Sequence, residues 1–269
     1  MQVHDVESLI TIASVVIIIG VAAIIFFARN SQRKRRARAF SDFALRTGFM
    51  MDTPPEKGAT PSLGAPGYPA DPGKTTGSPI ADILVNLIKQ VMGQPQTLKR
   101  TELSTEVSGI LFFKKHSWRN MEHLLYQDYQ DGTIYLFDGA WAKGNNNYFY
   151  RTVAVASDQR VHIPHLSVTR KSLLNTGNKK IGPIVDIGFD PEFSELFALR
   201  GTDEYGIRSV FNDTLCRWMI QRKELIHDLE AFGMIVVLSG PKKRLTPEEA
   251  GELAQATREL ANMWAGTAR

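Results

Sequence analysis

The sequence predicts an α+β protein: an N-terminal transmembrane helix followed by a cytosolic domain with an antiparallel meander sheet flanked by helices. Three observations predict it. An uncharged apolar run lies near the N-terminus, short β-branched and aromatic segments separated by turn signals fill the middle, and helical periodicity with a capping signal closes the chain.

The apolar run covers the 21 positions from Ser8 to Ala28, none of them charged. A helix rises about 1.5 Å per residue, so this run matches the roughly 30 Å hydrocarbon thickness of a bilayer. Asp5 and Glu7 precede it and only cations follow it closely, the reverse of a cleavable secretory signal. Because the positive flank stays in the cytosol, we expect a single-pass protein of the cell (plasma or inner) membrane, with its N-terminus outside and the rest cytoplasmic. A buried core helix is the alternative.

Six cations follow the run within a few helical turns, and they are the predicted membrane-surface contacts. They are Arg29, Arg33, Lys34, Arg35, Arg36 and Arg38. Each gains about 1 kcal/mol near acidic lipid, so the bilayer and its anionic headgroups are the expected partners. A nucleic-acid or nuclear-import patch is a second interpretation, and a simple topology signal is a third.

The chain divides into four predicted parts. Residues 1–28 are the tail and transmembrane helix, and residues 29–52 form a basic juxtamembrane helix that Gly48 can end. Residues 53–79 contain seven Pro and five Gly in 27 positions, which predicts a disordered linker. Residues 80–269 are the cytosolic α+β domain.

Strand signals dominate the first half of that domain. After an amphipathic helix at residues 80–91, short segments predict an antiparallel meander between residues 121 and 170. Asp131-Gly132 is the sharpest hairpin signal, and Asn145 to Asn147 mark the next reversal.

The second half alternates between strands and helices. Residues 184–189 and 196–201 are predicted strands, residues 203–223 one or two helices, and residues 224–240 a closing hairpin. Thr246, Pro247 and Glu249 form a capping box at the start of the last helix.

Composition limits the possible functions. The chain has 32 basic and 28 acidic residues, but residues 39–269 hold 26 of each, so the net charge of +4 belongs to the N-terminal region. Nucleic-acid binders usually carry a basic domain, and we expect no nucleic-acid partner. The single cysteine, Cys216, excludes an intramolecular disulfide and suits a reducing cytosol.

Three groups of residues could form a catalytic or binding site. His123, His162 and His165, with the acidic residues from Asp186 to Glu204, could form a site for acid–base catalysis or a cation. Capping and solvated loops explain the acidic residues more simply, because Asp203 can cap a helix and Arg200 or Arg208 can form an ion pair. Eight aromatic residues between Tyr126 and Tyr150 could stack nucleic-acid bases, but few cations accompany them, which favours packing. No catalytic, cofactor-binding or metal-ligating residue is therefore assigned.

One block resembles a known group of proteins. The order Asp190-Pro191-Glu192-Phe193, Phe197, Gly201, Asp203-Glu204, Phe211, Leu215, together with "YQDYQDGTIYLFDGAW", is similar to a pattern in uncharacterised bacterial membrane-anchored proteins. The resemblance implies an N-terminal span, a basic flank, an antiparallel β region and a bacterial origin. It implies no reaction.

These observations leave three hypotheses for function. A membrane-tethered cytosolic module that binds a protein partner or lipid without catalysis ranks first, since no site is assembled in the sequence. A membrane-attached enzyme with a histidine and carboxylate site is the alternative. Nucleic-acid binding by the aromatic sheet is the weakest.

Overall fold

The computed structural model describes residues 3–52, 98–110, 113, 118–142, 148–171, 181–188, 190–241 and 243–267. Some side chains within these ranges lie outside the description: residues 3–16, 18, 19, 22, 29, 98, 101, 109, 118–120, 141, 142, 148 and 149. The chain divides into two compact units, Met1–Phe49 and Met50–Arg269.

The first unit is built on one long helix, α1, Val3–Thr47. The sequence predicted a span and a separate juxtamembrane helix, but the structure joins them. No Pro or Gly interrupts residues 21–47, and Arg, Lys and Ala are good helix formers. Gly48 ends the helix as predicted: its φ is 76°, and its N–H donates to the carbonyl oxygen of Ala44 at 3.0 Å. Within the described part of the chain, no helix is both long enough and apolar enough to cross a membrane.

The second unit contains an eight-stranded sheet in which every pairing is antiparallel. Its spatial order is β1-β2-β3-β4-β8-β7-β5-β6. The strands are β1 Met50–Met51, β2 Trp118–Tyr129, β3 Gly132–Ala142, β4 Tyr148–Asp158, β5 Ile163–Arg170, β6 Phe197–Gly201, β7 Asp228–Gly233 and β8 Ile235–Ser239. The prediction of an α+β fold with an antiparallel sheet is confirmed.

The meander of β2, β3 and β4 occurs where the sequence predicted it, but the prediction that it continues to residue 170 was wrong, because β4 pairs with β8 and β5 pairs with β6 and β7. The first turn also differs. Gly132 pairs with Tyr129, so the loop residues are Gln130 and Asp131 rather than Asp131 and Gly132. A Cβ on Gly132 would lie 1.9 Å from the carbonyl oxygen of Ser157 on β4. Glycine is required there because the β4 backbone approaches closely. The predicted reversal at Asn145 to Asn147 lies outside the described residues.

The strand predicted at residues 184–189 was wrong for its described part. Only Ile184 makes an isolated bridge, with Arg200. The backbone turns away because the N–H of Gly188 donates to Asp186 Oδ1 at 3.0 Å and Gly188 has a φ of 66°. A short aspartate side chain that bonds its own backbone competes with strand pairing.

Side-chain caps position the helices of the second unit. These are α2 Leu98–Glu106, α3 Pro191–Leu196, α4 Glu204–Val210, α5 Asp213–Gln221 and α6 Pro247–Thr267. Asp190, Asp203 and Asn212 each accept a backbone N–H at the start of α3, α4 and α5. The capping box of α6 is confirmed: Glu249 N–H donates to Thr246 Oγ1 at 3.2 Å, and Thr246 N–H donates to Glu249 Oε2 at 2.8 Å.

The two faces of the sheet are covered by different helices. On one face, α2 and the 3-10 turn Val107–Gly109 bring Leu103 and Val107 onto Tyr135, Phe137 and other side chains of β2, β3, β4 and β8. On the other face, α6 packs across β3, β4 and β8. α4 packs on β5, and α3 packs on α5 and β6.

The Pro/Gly-rich segment starts from the sheet domain and returns to it. β1 precedes the segment and pairs with β2 at Leu125 and Tyr126. After the segment, Arg100 on α2 places its Nε 3.5 Å from Asp52 Oδ2. Only Gly48 and Phe49 separate α1 from β1, so residues 53–97 are an insertion within the second unit. The predicted disordered linker and the predicted helix at residues 80–91 both lie outside the described residues.

Replacing residues 53–97 by an eight-residue Gly/Ser linker is therefore expected to leave the sheet domain folded. The Asp52 and Arg100 pair already brings the ends together, and the shorter loop lowers the closure cost by on the order of 1 kcal/mol. Circular dichroism melts of the full-length chain in detergent measure this. A second deletion that also removes residues 98–110 is the control, and it should unfold because Leu103 and Val107 are core residues. Loss of cooperative melting in the first variant would mean that the replaced segment supplies core contacts.

Candidate functional site

Three histidines of the sheet domain each lie against a carboxylate of the same sheet. His123 Nδ1 is 3.5 Å from Asp138 Oδ2, His165 Nε2 is 2.8 Å from Glu230 Oε1, and His227 Nδ1 is 3.0 Å from Asp228 Oδ2. We name these the acid–histidine pairs. A carboxylate that holds one ring nitrogen fixes the orientation of the imidazole, an arrangement used by general bases and metal ligands.

The first pair lies at a β-bulge between β2 and β3. The register shifts between Glu122 and Leu125, and His123 is the only non-glycine residue with a positive φ, 56°, among the described residues. A left-handed backbone costs a residue with a Cβ about 1–2 kcal/mol. Bulges commonly re-aim a side chain, and such strain often occurs at functional sites. Here the bulge brings the nearly buried imidazole beside Asp138.

Asp138 itself is fully buried and held from the opposite side. Thr152 on β4 donates its hydroxyl to Asp138 Oδ1 at 2.8 Å, and the N–H of Leu245 donates to that hydroxyl at 3.0 Å. The carboxylate therefore connects β2, β3, β4 and the segment that leads into α6. A buried charge is tolerated only with partners of this kind.

Next to this pair, an ion pair joins β2 to the segment that leads into α6. Arg244 donates to Glu122 Oε2 at 2.6 Å, and its guanidinium lies 3.7 Å from the ring centroid of Tyr150. Glu122 is buried at 8% exposure. Arg244 therefore compensates a buried carboxylate and stacks on an aromatic ring, two roles that a lysine would fill less well.

The third pair belongs to a larger network at the start of β7. Arg151 donates to Asp228 Oδ2, and Ser239 donates to the same oxygen at 3.4 Å. Burial acts to raise the pKa of Asp228, but the hydrogen bond from His227 and the charge of Arg151 outweigh it and hold that pKa below the ordinary value. Asp228 is therefore ionised at neutral pH and keeps the proton of His227 on Nδ1.

The second pair shares a face of β7 with this network. Glu230 lies two residues after Asp228, and residues at that spacing point to the same side of a strand. Glu230 is only 5% exposed, whereas the side chain of His165 on β5 is 27% exposed. The imidazole centroid lies 5.1 Å from the ring of Phe232, which is half exposed. This is the most accessible of the three pairs.

The pairs can orient a base or move a proton, but no nucleophile is assembled with them in the described part of the chain. Ser239 donates to Asp228, not to His227. Cys216 is fully buried, and burial raises its pKa to about 12, so its thiol stays protonated. Among the residues described, no group of three or more His, Cys, Asp or Glu residues could hold a metal ion.

The structure does not bring the predicted catalytic candidates together. His123 and His165 have separate partners, and His162 is exposed outside a strand. The acidic residues act as predicted for capping and surface pairing. Asp190 and Asp203 cap helices, Asp186 forms a turn, Glu204 pairs with Arg208 at 2.8 Å, Glu192 lies 3.7 Å from Lys223, and Glu195 is exposed.

Asp138, Asp228, Glu230 and His227 were not among the site residues that the sequence predicted. A signal was present, because a charged residue that alternates with apolar neighbours in a strand points to a polar site on an otherwise buried face. Asp228 and Glu230 alternate with Leu229 and Ala231 in this way. His227 is adjacent to Asp228 in the sequence, whereas His165 and Arg151 come from other strands and could not be assigned.

The aromatic residues of the meander are packed wherever their side chains are described. Tyr135 and Phe137 are fully buried, Tyr129 donates to Asp158 at 3.0 Å, and Tyr150 lies under Arg244. Tyr126 packs against the core and under Lys99. Trp141, Tyr148 and Phe149 have side chains outside the description. The described rings therefore serve packing, which is the interpretation that the sequence favoured.

The cationic residues after the apolar run lie on α1. Arg33, Lys34, Arg35 and Arg38 are exposed, whereas Arg36 is half-buried and its guanidinium lies 4.8 Å from the ring centroid of Phe40. The side chain of Arg29 lies outside the description. Exposed cations on one helix can contact an anionic surface.

Comparison with known proteins gives no family. No family model matches the chain, and no curated protein matches it. It is similar to a solved structure of the mycobacterial trehalose monomycolate transport factor A, TtfA, at 10% identity, over 53% of this chain and 71% of that chain, with a TM-score of 0.40. A likeness of this degree carries no argument about this chain. The resemblance to uncharacterised bacterial membrane-anchored proteins stays a prediction.

Backbone strain at His123 can be tested by comparing two substitutions at that position. His123→Gly is expected to be more stable than His123→Ala by about 1–2 kcal/mol, because only glycine adopts a positive φ without cost. Both variants lose the same imidazole, so the loss of its contacts cancels. Urea denaturation of the full-length chain in detergent gives the two free energies of unfolding. The same pair at His165, which has no positive φ, should show the opposite order by about 0.5–1 kcal/mol. Equal stabilities at position 123 would argue against the strain.

The Asp228 network predicts a dependence of stability on acid. The folded-state pKa of Asp228 lies below its ordinary value of 3.8, so its contribution is present above that pH and is lost as pH falls further. Asp228→Asn should cost about 3–5 kcal/mol at pH 7, since Arg151 is left buried without its partner charge.

Urea midpoints at pH 7, 4 and 2.5 measure this effect. The difference between wild type and Asp228→Asn should shrink at the lowest pH. Asp213→Asn, which removes an exposed partner of Arg217, is the matched control and should change stability by less than about 1 kcal/mol at every pH. A difference that stays constant down to pH 2.5 would contradict the assignment.

Proposed function

We propose that the chain is a single-pass protein of the cell membrane, with its N-terminus outside. Its α+β domain is held at the cytoplasmic surface as a non-enzymatic module that binds a protein partner or lipid. The observation that carries this proposal is the exposure of large apolar side chains on α1. The large apolar side chains Ile17, Val21, Ile24, Ile25, Phe26 and Phe27 are 46–70% exposed there.

Exposed apolar groups of this number favour a lipid environment. Fully burying one such side chain contributes about 1.5–3 kcal/mol, so lipid contact along this surface is worth on the order of 10 kcal/mol. The uncharged run from Ser8 to Ala28 has the length that a bilayer requires.

The cations that follow support the orientation. Arg33, Lys34, Arg35 and Arg38 continue the same helix beyond Ala28 and are exposed. Positive residues beside a span remain in the cytosol, and each gains about 1 kcal/mol from acidic headgroups. The apolar surface and the cationic surface thus fit the interior and the inner face of one bilayer.

Helix α1 also sets how far the chain travels before the sheet domain begins. From Ala28 to Thr47 the helix rises about 28 Å. Gly48 and Phe49 then lead directly into β1. A short connection of this kind keeps the domain near the membrane and raises its concentration for a partner there.

A membrane-attached enzyme is the second candidate. Strained His123 beside buried Asp138 favours it, because strain and a carboxylate-oriented imidazole recur in active sites. The two functions differ in one outcome. His123→Gly would abolish an enzymatic function, whereas an interaction module would keep recovering its partner with that variant.

Membrane insertion is tested by alkaline carbonate extraction. The full chain is expected to stay with the membrane pellet, and a chain without residues 1–28 is expected to be released, because the remaining cations bind only electrostatically. A reporter active only outside the cytoplasm should be inactive when fused after Thr267. Release of the full chain by carbonate, or an active C-terminal reporter, would overturn the proposed location.

The interaction role is tested by cross-linking in intact membranes followed by mass spectrometry. The full chain should recover the same partner in replicate experiments, and a chain of residues 1–49 alone should not. The absence of any reproducible protein or lipid adduct would contradict the module.

A further inference from the structure

Helix α2 is held to the sheet domain by an apolar face and by ion pairs. Leu103 is fully buried, and Val107 and Ile110 after it are 1% exposed. Lys99 lies 3.4 Å from Asp128 and 3.2 Å from Glu102, and Arg100 lies 3.5 Å from Asp52. The pairs of Lys99 are partly exposed, whereas Arg100 and Asp52 are nearly buried.

Glu106, the last residue of α2, is different because its carboxyl group points inward. Its Oε2 atom is buried and finds no hydrogen-bond partner in the described part of the protein, while its other contact is a hydrogen bond with Ser157 on β4. The hydroxyl of Tyr135 on β3 is also buried, and the side chain of Thr133 interacts with it. Glu106 acts electrostatically on Tyr135, so both polar groups lie in the region beneath α2.

The charges around Glu106 disfavour its ionised form. Glu102 lies one turn earlier on the same helix, and Asp128 on β2 is bonded to Lys99 and Thr133. Burial is the largest influence and raises the pKa of Glu106; Glu102 raises it further, and Ser157 and Lys99 only partly offset these effects. The pKa of Tyr135 is raised as well, first by burial and then by Glu106, so its hydroxyl keeps its proton at neutral pH.

We propose that Glu106 is a proton-operated latch that holds α2 against the sheet. When protonated, its carboxyl group is neutral and lies without charge among Tyr135, Ser157 and the buried side chains below α2. When ionised, it places an unpaired negative charge in that apolar contact, next to Glu102, and weakens the docking of the helix. The latch depends on the sheet domain alone and not on the proposed membrane anchor.

The direction of the pH effect follows from linkage. A carboxyl group whose pKa is raised in the docked state contributes stability that is fully present below its ordinary value, 4.5, and is lost as pH rises through the raised value. Docking of α2 therefore weakens as pH rises above that ordinary value. Each unit of pKa elevation corresponds to about a tenfold change in the opening equilibrium.

Hydrogen–deuterium exchange of the full-length chain in detergent, from pH 4.5 to 8, tests the latch. After correction for intrinsic exchange, protection of the peptide covering residues 98–110 should fall by about tenfold per unit of elevation as pH rises. A peptide covering β8 should stay constant. Wild-type protection of residues 98–110 that does not change with pH would overturn the proposal.

Two variants make the test specific. Glu106→Gln cannot ionise, so its protection should be independent of pH and, at pH 8, higher than that of wild type. Glu102→Gln on the same helix is the matched control; it should keep the fall and displace it to lower pH, because a neighbouring negative charge is gone. A Glu106→Gln profile that falls like wild type would refute the latch. If that variant loses protection of β8, it is unfolded. The pH dependence of protection at residues 98–110 relative to β8 in the wild-type protein then decides the proposal.

Discussion

The sheet depends on the position of one short strand. β8, Ile235–Ser239, pairs with β4 on one side and with β7 on the other, and all five of its residues are buried. It joins the N-terminal meander to the strands formed by the C-terminal half. Ile235 and Val237 point into the core beneath α2, and the alternate side chains Val236 and Leu238 face the side on which α6 packs. Both cores are therefore built around the same strand, and burial of each large side chain contributes about 1.5–3 kcal/mol.

Because β8 lies in the centre, the charges beside it are also central. Asp228 and Glu230 on the neighbouring strand β7 lie at the margin of the apolar core, where an isolated charge would be strongly unfavourable. Each is compensated by a histidine, and Asp228 also by Arg151 from β4. The same requirement explains Asp138, which binds Thr152 and lies beside His123 at a strained bulge. The pairs of His123 with Asp138 and of His165 with Glu230 each join neighbouring strands, and the same geometry orients the imidazoles that chemistry would use.

The position of residues 53–97 changes how the parts of the chain follow one another. Composition alone placed a flexible tether between the anchor and the folded domain. The pairing of β1 with β2 and the contact between Asp52 and Arg100 instead place both ends of that segment on the domain. The connection between helix and sheet consists of Gly48 and Phe49.

The sequence by itself determined the local features of this protein, because each depends on neighbours a few residues apart. Gly48 ends α1, Thr246 and Glu249 cap α6, and the strand periods locate the meander and the closing hairpin. The order of apolar and cationic residues in α1 is likewise a property of the local sequence. The first turn lies one residue earlier than predicted. Residues 184–188 form no strand, because the Asp186 side chain accepts the N–H of Gly188.

Only the tertiary structure decided where β8 lies and which charges meet. His165 and Glu230 are 65 residues apart, and Arg151 and Asp228 are 77 residues apart. Short-range periodicity carries no information on pairs at that separation, since strand order sets them. The physical reason is that a buried carboxylate is stable only when the folded sheet supplies its partner. The sequence revealed the polar residues in apolar strands, and the fold determined what each of them binds.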